Sequence, residues 1–249
     1  MTMQTNDARP TQSASQLIRK MLEDDFKEFP PRLMYTQYAH LTLDAVLEGI
    51  VRLGRQVTPD FTLDEVGINA YAKALSWLLG FKHPEIDDPM KGIIVTGETG
   101  VGKTLMVRLL HEVSTRLGIH RPFYDGASSR VCMKPFLWNY ETHALWHVKD
   151  YMGSDDGSFQ ALRWRVLHIG DLGSEPDTFH RYGNRASLAD LINQRSDMGY
   201  QSAPMIITTN LPWSELERYG DRAVSRLRGD CIEICMAGIP DHRTQKRQA

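Results

Sequence analysis

An eight-residue stretch, GETGVGKT at residues 97–104, has the residue types and spacing of a phosphate-binding loop. Its glycines permit backbone conformations that a Cβ would penalise, so that successive amide N–H groups can converge on an anion. In such a loop the lysine reaches the β- and γ-phosphates and the threonine hydroxyl holds Mg²⁺. The residues expected to bind the nucleotide are Gly97, Glu98, Thr99, Gly100, Val101, Gly102, Lys103, Thr104 and Leu105.

The segments that flank this loop match the context in which it works. Residues 92–96, GIIVT, are typical of a buried strand because β-branched residues run together and end in glycine. Residues 104–110 read as a helix, whose N-terminus would add a partial positive charge near the anion. Strand, glycine loop and helix together predict a site for a nucleoside triphosphate.

The rest of the chain predicts an α/β fold. Further strands are expected at residues 121–124, 166–169, 204–210 and 231–235, with helices between them. Strands that alternate with helices indicate a parallel sheet covered by helices on both faces, here with five strands. A helix is also expected from Thr62, where Thr62-Leu63-Asp64-Glu65 matches a capping box, to Gly80.

The N-terminal residues have a different character. Residues 1–12 are expected to be disordered, and apolar residues at helical spacing predict helices over residues 13–29 and 43–53. Short helices are marginal in water, so their apolar faces need a partner, each other or the main domain. We expect a helical appendage over residues 1–58 and the main domain over residues 59–249.

Two polar residues follow predicted strands and form a second set of candidates. Asp171 ends the strand that begins near Val166, and Asn210 ends the next strand. Ligands of open α/β sheets bind beyond the carboxyl ends of the strands, where an acid near Mg²⁺ and a polar sensor are useful for hydrolysis. The alternatives are that Asp171 caps a loop and that Asn210 is a turn residue before Pro212.

Three arginines complete the candidates. Arg222 and Arg226 are four residues apart, on one face of a predicted helix, and Arg243 follows the last strand. An arginine carried into the site of a neighbouring subunit can neutralise charge on the γ-phosphate. The alternative is a solvated basic face.

In this order, the phosphate loop, the Asp-Leu-Gly and Thr-Thr-Asn-Leu strand ends and the YGDRAVSRL segment resemble the AAA+ ATPases of the DnaC/IstB type. The resemblance covers roughly residues 60–245. It implies ATP with Mg²⁺ bound by Lys103 and Thr104, Asp171 as the catalytic acid and further Mg²⁺ partner, and Asn210 as sensor 1. It further implies that Arg226, beside Arg222, acts on a neighbouring subunit of a homo-oligomer, and that Arg243 is the sensor 2 arginine.

One position departs from that family pattern. The family usually carries two consecutive acids at this strand end, whereas here Gly170 occupies the first position. The loss of one carboxylate partner predicts weaker Mg²⁺ binding or turnover with nucleotide binding retained. Asp171 or Glu175 is a candidate to compensate, and ATP would then act partly as an assembly switch.

The resemblance also implies partners. Residues 1–58 would grip a replicative helicase, and the tryptophans and lysines of residues 134–164 would face single-stranded DNA, although core packing of those tryptophans is an equal alternative. Two other functions are open: an IstB-like transposition helper that binds duplex DNA and recruits a transposase, and a weakly hydrolysing nucleotide-dependent adaptor.

Composition limits the setting in which this protein acts. The 249 residues are 41% hydrophobic and 24% charged, with a formal net charge of −2, so no global field attracts nucleic acid. The polar N-terminus lacks the apolar run of a signal peptide, and no apolar stretch is long enough to span a bilayer. We expect a cytoplasmic protein without a membrane partner.

Overall fold

The computed structural model describes residues 41–88, 90–125, 130–135, 167–174, 187–197 and 204–240; of residues 120–125, 130–135 and 187 it describes only the backbone. The chain divides into two units, Met1–Leu33 and Met34–Ala249, and the elements below all belong to the second. The disorder predicted for residues 1–12, the helix predicted for 13–29 and the tryptophans of 134–164 lie outside the described residues.

The centre of the fold is a four-stranded parallel sheet. Its strands are β1 (Gly92–Thr96), β4 (Leu167–Leu172), β5 (Met205–Thr209) and β6 (Cys231–Cys235), in the order β4-β5-β1-β6. All residues of β1 and β5 are buried, as expected for parallel strands with both faces covered. Because β5 lies between β1 and β4, the ends of these three strands are neighbours on one edge of the sheet.

Helices cover both faces of this sheet. On one face, α1 (Leu43–Val57), α2 (Glu65–Leu79) and α3 (Lys103–Leu117) bury one core around Leu75, Ile93 and Met106. On the other, α4 (Ser187–Asp197) and α6 (Asp221–Asp230) bury a second core around Ile94, Ile192 and Ile207. Between β5 and α6 lie the short helix α5 (Trp213–Leu216) and a 3₁₀ turn (Glu217–Tyr219). The predicted arrangement of a parallel sheet between helices is confirmed.

The predicted fifth strand is not part of this sheet among the described residues. Strand β2 (His120–Asp125) instead pairs antiparallel with β3 (Arg130–Pro135) in a separate two-stranded sheet. Pro122 has no N–H to donate to a ladder, which confines it to edge positions and disfavours a central strand. The prediction of a strand in this segment is confirmed, but its predicted place in the parallel sheet is wrong, because it pairs with β3.

The N-cap of helix α2 lies two residues after Thr62, the N-cap that the proposed capping box predicts. Its cap is Asp64, whose carboxylate accepts a hydrogen bond from the Gly67 amide at 2.7 Å, and Glu65 is already the first helical residue. The helix ends at Gly80, in the left-handed conformation that favours glycine. The predicted helix is therefore present, with a single aspartate in place of a reciprocal capping box.

Helix α1 packs against the main domain. Ile50 and Gly54 are fully buried, and Val46, Leu47 and Val51 are partly buried against the same core. Its apolar face therefore packs against the main domain, one of the three possibilities considered from the sequence. The proposed role of residues 1–58 in partner binding stays a prediction. Within the described residues, no helix has the length and apolar composition needed to cross a bilayer.

Candidate functional site

The phosphate loop connects β1 to α3 and depends on its glycines. Gly97, Gly100 and Gly102 have φ values of 148°, 88° and 96°, in the region that L-residues rarely adopt. At Gly97, a Cβ would also lie 3.2 Å from the carbonyl carbon of Met236, the residue that follows β6. Substitution at these positions would change the path of the loop.

Helix α3 starts inside the loop and presents its N-terminus there. The residue that precedes the helix is Gly102, which has no side chain to cap the first amides, and the first turn contains no acid. The N-terminus of this helix, with the positive end of its dipole, therefore lies where a bound anion would be stabilised. Thr104, in the first turn, has an exposed side chain.

Lys103 joins the loop to the neighbouring strand. Only 5% of its surface is exposed, and its Nζ donates to the carbonyls of Gly97 at 2.8 Å and Glu98 at 2.7 Å. It also donates to Oδ1 of Asn210 at 2.5 Å. A buried ammonium group needs such acceptors, and phosphate oxygens are stronger ones because they are charged.

Asn210 reaches Lys103 because of the strand order. It directly follows β5, which lies beside β1 in the sheet. The structure thus brings together two predicted site residues that are 107 positions apart in the chain.

Asp171 stands at an irregularity at the end of β4. The β4–β5 register shifts between Ile169 and Leu172, and Asp171 has φ 53°, the only positive φ of a non-glycine residue in the described part of the chain. Its N–H donates to Oγ1 of Thr208 at 2.9 Å, and Oγ1 of Thr209 donates to the carbonyl of Leu172 at 2.7 Å. Bulges re-aim side chains, and locally strained residues are found disproportionately at functional sites.

A cavity of about 160 Å³ opens beside the phosphate loop. Its lining includes Val101 and Gly102 of the loop, Phe61 and Tyr71 from the α1–α2 region, and Met236 and Ile239 after β6. This largely apolar cavity suits a flat heteroaromatic group next to bound phosphates. No sequence motif predicts this cavity, because its lining residues come from three distant segments of the chain.

The two arginines of α6 contact α4 of the same chain. Arg226 donates to the carbonyl of Asn193 and to the Asp197 carboxylate, and its side chain is 18% exposed. Arg222 lies 3.5 Å from the other oxygen of Asp197 and is 69% exposed. They share a face, as predicted, but that face meets α4. Their action on a neighbouring subunit stays a prediction.

The pairing with Arg226 sets the acidity of Asp197. The hydrogen bond from Arg226, with the charges of Arg226 and Arg222, holds the pKa of Asp197 below its ordinary value of 3.8. We expect Arg226→Gln to raise this pKa, whereas Arg228→Gln, on the same helix but stacked on Trp213, should not. Carboxyl NMR titration would measure both.

The direction of this shift fixes its pH dependence. Because the pKa is lower in the folded state, pairing favours folding above the unfolded value, and this contribution is lost as pH falls through the folded pKa. An ordinary Asp197 pKa in the unaltered protein would contradict the pairing.

Other candidates lie outside the described residues. Arg243 and Glu175 are among them, so their places in the site stay predictions. In the part of the chain that the structure describes, no group of three or more His, Cys, Asp or Glu residues could hold a metal ion.

Comparisons with known proteins show a distant structural likeness. No protein-family model and no curated protein sequence matches this chain. Among solved structures, AMPPCP-bound DnaA from Aquifex aeolicus is similar, with 18% identity and a TM-score of 0.46 over 70% of this chain and 48% of that chain. This chain therefore spans about half the length of that structure.

Proposed function

We propose that this chain is an AAA+ ATPase of the DnaC/IstB type that uses ATP to load a replicative helicase onto single-stranded DNA. The observation that carries the nucleotide-binding part is the 2.5 Å contact between Lys103 Nζ and Asn210 Oδ1. It joins the phosphate loop to the end of β5, where a γ-phosphate would lie. The helicase part is supported by the order of the sequence motifs.

In this proposal the phosphate loop binds the triphosphate and the cavity binds the base. The triphosphate would lie over the N-terminus of α3 with Lys103 on its β- and γ-phosphates. The base would enter the cavity that Phe61 and Val101 both line. Apolar walls would bury the flat faces of the base, and fixed polar groups would orient it.

The residues present fit Mg²⁺ as a partner of the phosphates. Mg²⁺ prefers oxygen ligands and commonly takes only one or two from protein, with phosphates and water completing its octahedron. The exposed Thr104 hydroxyl and the half-buried Asp171 carboxylate are of that kind. The ion would neutralise phosphate charge, and Gly170 leaves one carboxylate fewer to hold it.

Four side chains are proposed to promote hydrolysis. Asp171 would accept a hydrogen bond from the attacking water, and Asn210 would orient that water or the γ-phosphate. Arg226 and Arg222 would neutralise charge in the site of a neighbouring subunit of a homo-oligomer. To do so, Arg226 would first have to leave Asp197, whereas the more exposed Arg222 has the greater reach.

A truncation tests the partner assignment. Removal of residues 1–58 would take away buried Ile50 and so disturb the core, whereas removal of residues 1–33 leaves α1 in place. We expect the full chain to form an ATP-dependent complex with a hexameric replicative helicase in size-exclusion chromatography. The protein lacking residues 1–33 should lose the complex and keep ATP binding.

The alternatives predict other results of the same experiment. ATP-dependent binding to duplex DNA, with no helicase complex, would favour the transposition helper. A helicase complex that persists in Lys103→Ala would favour the adaptor. A helicase complex that survives removal of residues 1–33 would contradict the assignment of those residues to the partner.

A further inference from the structure

Phe61, on the wall of the cavity, lies directly against the backbone of helix α1. At Gly54, a Cβ would be 2.1 Å from Phe61 Cδ1, 2.5 Å from Cε1 and 2.6 Å from Cγ. These separations are shorter than any real Cβ contact, and the atoms belong to a stiff ring. The ring can occupy its observed place only because residue 54 has no side chain.

The turn between α1 and α2 fixes Phe61 to the same helix. The amide of Thr58 donates to the Gly54 carbonyl at 2.8 Å, and the amide of Phe61 donates to the Thr58 carbonyl at 2.9 Å. Nε of Arg55 donates to the Phe61 carbonyl at 3.4 Å. Any shift of the C-terminal turn of α1 must therefore move Phe61.

Phe61 also lines the cavity. The residue is 8% exposed, and its ring meets that of Tyr71 edge to face, with centroids 6.1 Å apart and planes at 75°. Both rings line the cavity that Val101 and Gly102 of the phosphate loop also line. Phe61 thus contacts α1 and also lines the proposed base site.

We infer that Gly54 is a positioning residue for the nucleotide base, and that the seating of α1 on the domain controls ATP affinity through Phe61. The inference rests on the proposed nucleotide-binding function and adds regulation to it. Because coupling between two sites is reciprocal, bound ATP must in turn hold α1 in place. A protein that displaces α1 would release ATP, and one that clamps α1 would retain it.

Two glycines of α1, Gly54 and Gly49, provide a test variant and its matched control. Gly54→Ala forces the Phe61 ring away, whereas a Cβ at Gly49, in the same helix, meets nothing within 4 Å. Calorimetric titration would measure the affinity of each variant for ATP and for inorganic tripolyphosphate, which has no base. Thermal melting would check the fold of each variant.

We expect Gly54→Ala to weaken ATP binding by roughly two- to twelvefold, the scale of one lost aromatic contact, and to leave tripolyphosphate affinity unchanged. Gly49→Ala should leave both affinities unchanged. In a Phe61→Ala background, which removes the opposing ring, Gly54→Ala should cause no further loss. Equal losses for ATP and tripolyphosphate, or the same loss in both backgrounds, would overturn the inference.

Hydrogen exchange on the unaltered protein gives a second test that needs no variant. Saturating ATP should slow exchange of the amides in the last turn of α1, and saturating tripolyphosphate should not. Equal protection by both ligands, or none by ATP, would also overturn the inference. Failure of the unaltered protein to bind ATP at all would instead contradict the proposed function itself.

Discussion

Replacing Lys103 by alanine is expected to remove nearly all ATP binding. Its buried Nζ donates to two loop carbonyls and to Asn210, and phosphates would become its acceptors in the complex. At about 1.5–3 kcal/mol for each hydrogen bond to a charged group, loss of two such bonds corresponds to roughly 10²- to 10⁴-fold weaker binding. Calorimetric titration with Mg-ATP would measure this.

A surface lysine provides the control. Lys91→Ala removes an exposed ion pair with Asp87, whose ammonium and carboxylate atoms are 2.6 Å apart. Pairs of this kind contribute about 0–1 kcal/mol, and Lys91 is not among the residues of the site, so ATP affinity should be unchanged. Equal affinities of Lys103→Ala and Lys91→Ala for ATP would show that the loop does not hold the triphosphate through its lysine.

Replacing Asp171 by asparagine is expected to abolish ATP turnover while nucleotide affinity without Mg²⁺ stays near that of the unaltered protein. Loss of a group that accepts a proton or orients water costs roughly 10²- to 10⁴-fold in rate. Asparagine is the appropriate replacement because it tolerates the observed φ of 53°, where alanine would add strain. Phosphate release would report turnover.

The control for this variant is Asp44→Asn, which neutralises an exposed acid in the first turn of α1. Loss of its interaction with the helix dipole should cost about 0.3–1 kcal/mol of stability and leave turnover unchanged. If Asp171→Asn hydrolyses ATP as fast as Asp44→Asn, the catalytic role proposed for Asp171 is wrong.

Substitutions at Gly170 test the same site by adding an acid instead of removing one. Gly170→Asp restores the missing acid and should raise Mg²⁺ affinity or turnover, whereas Gly170→Asn adds the same bulk without charge. Gly170 is buried, so the carboxylate is stable there only where a cation compensates it. Rapid hydrolysis by the unaltered protein, with no gain from Gly170→Asp, would contradict a role for ATP as an assembly switch.

Features encoded by neighbouring residues were predicted correctly from the sequence. The phosphate loop between β1 and α3 follows from a run of β-branched residues, three glycines and a helical repeat, each of which acts locally. The ends of β4 and β5 were likewise read from short runs of buried residues followed by polar ones. The prediction that a fifth strand joins the parallel sheet was wrong, because strand pairing, unlike strand propensity, depends on distant segments.

The same distinction applies to the site. Residue types and their spacing were enough to predict which side chains can do chemistry: Lys103 and Thr104 in the loop, and Asp171 and Asn210 at strand ends. The contacts between distant elements are visible only in the fold: β5 lies beside β1, which brings Asn210 to Lys103, and α6 lies on α4, which directs Arg226 to Asp197. The fold also places Phe61 against Gly54. The physical reason is that residue type and spacing specify local backbone and reactivity, whereas contacts between distant segments depend on how the whole core packs.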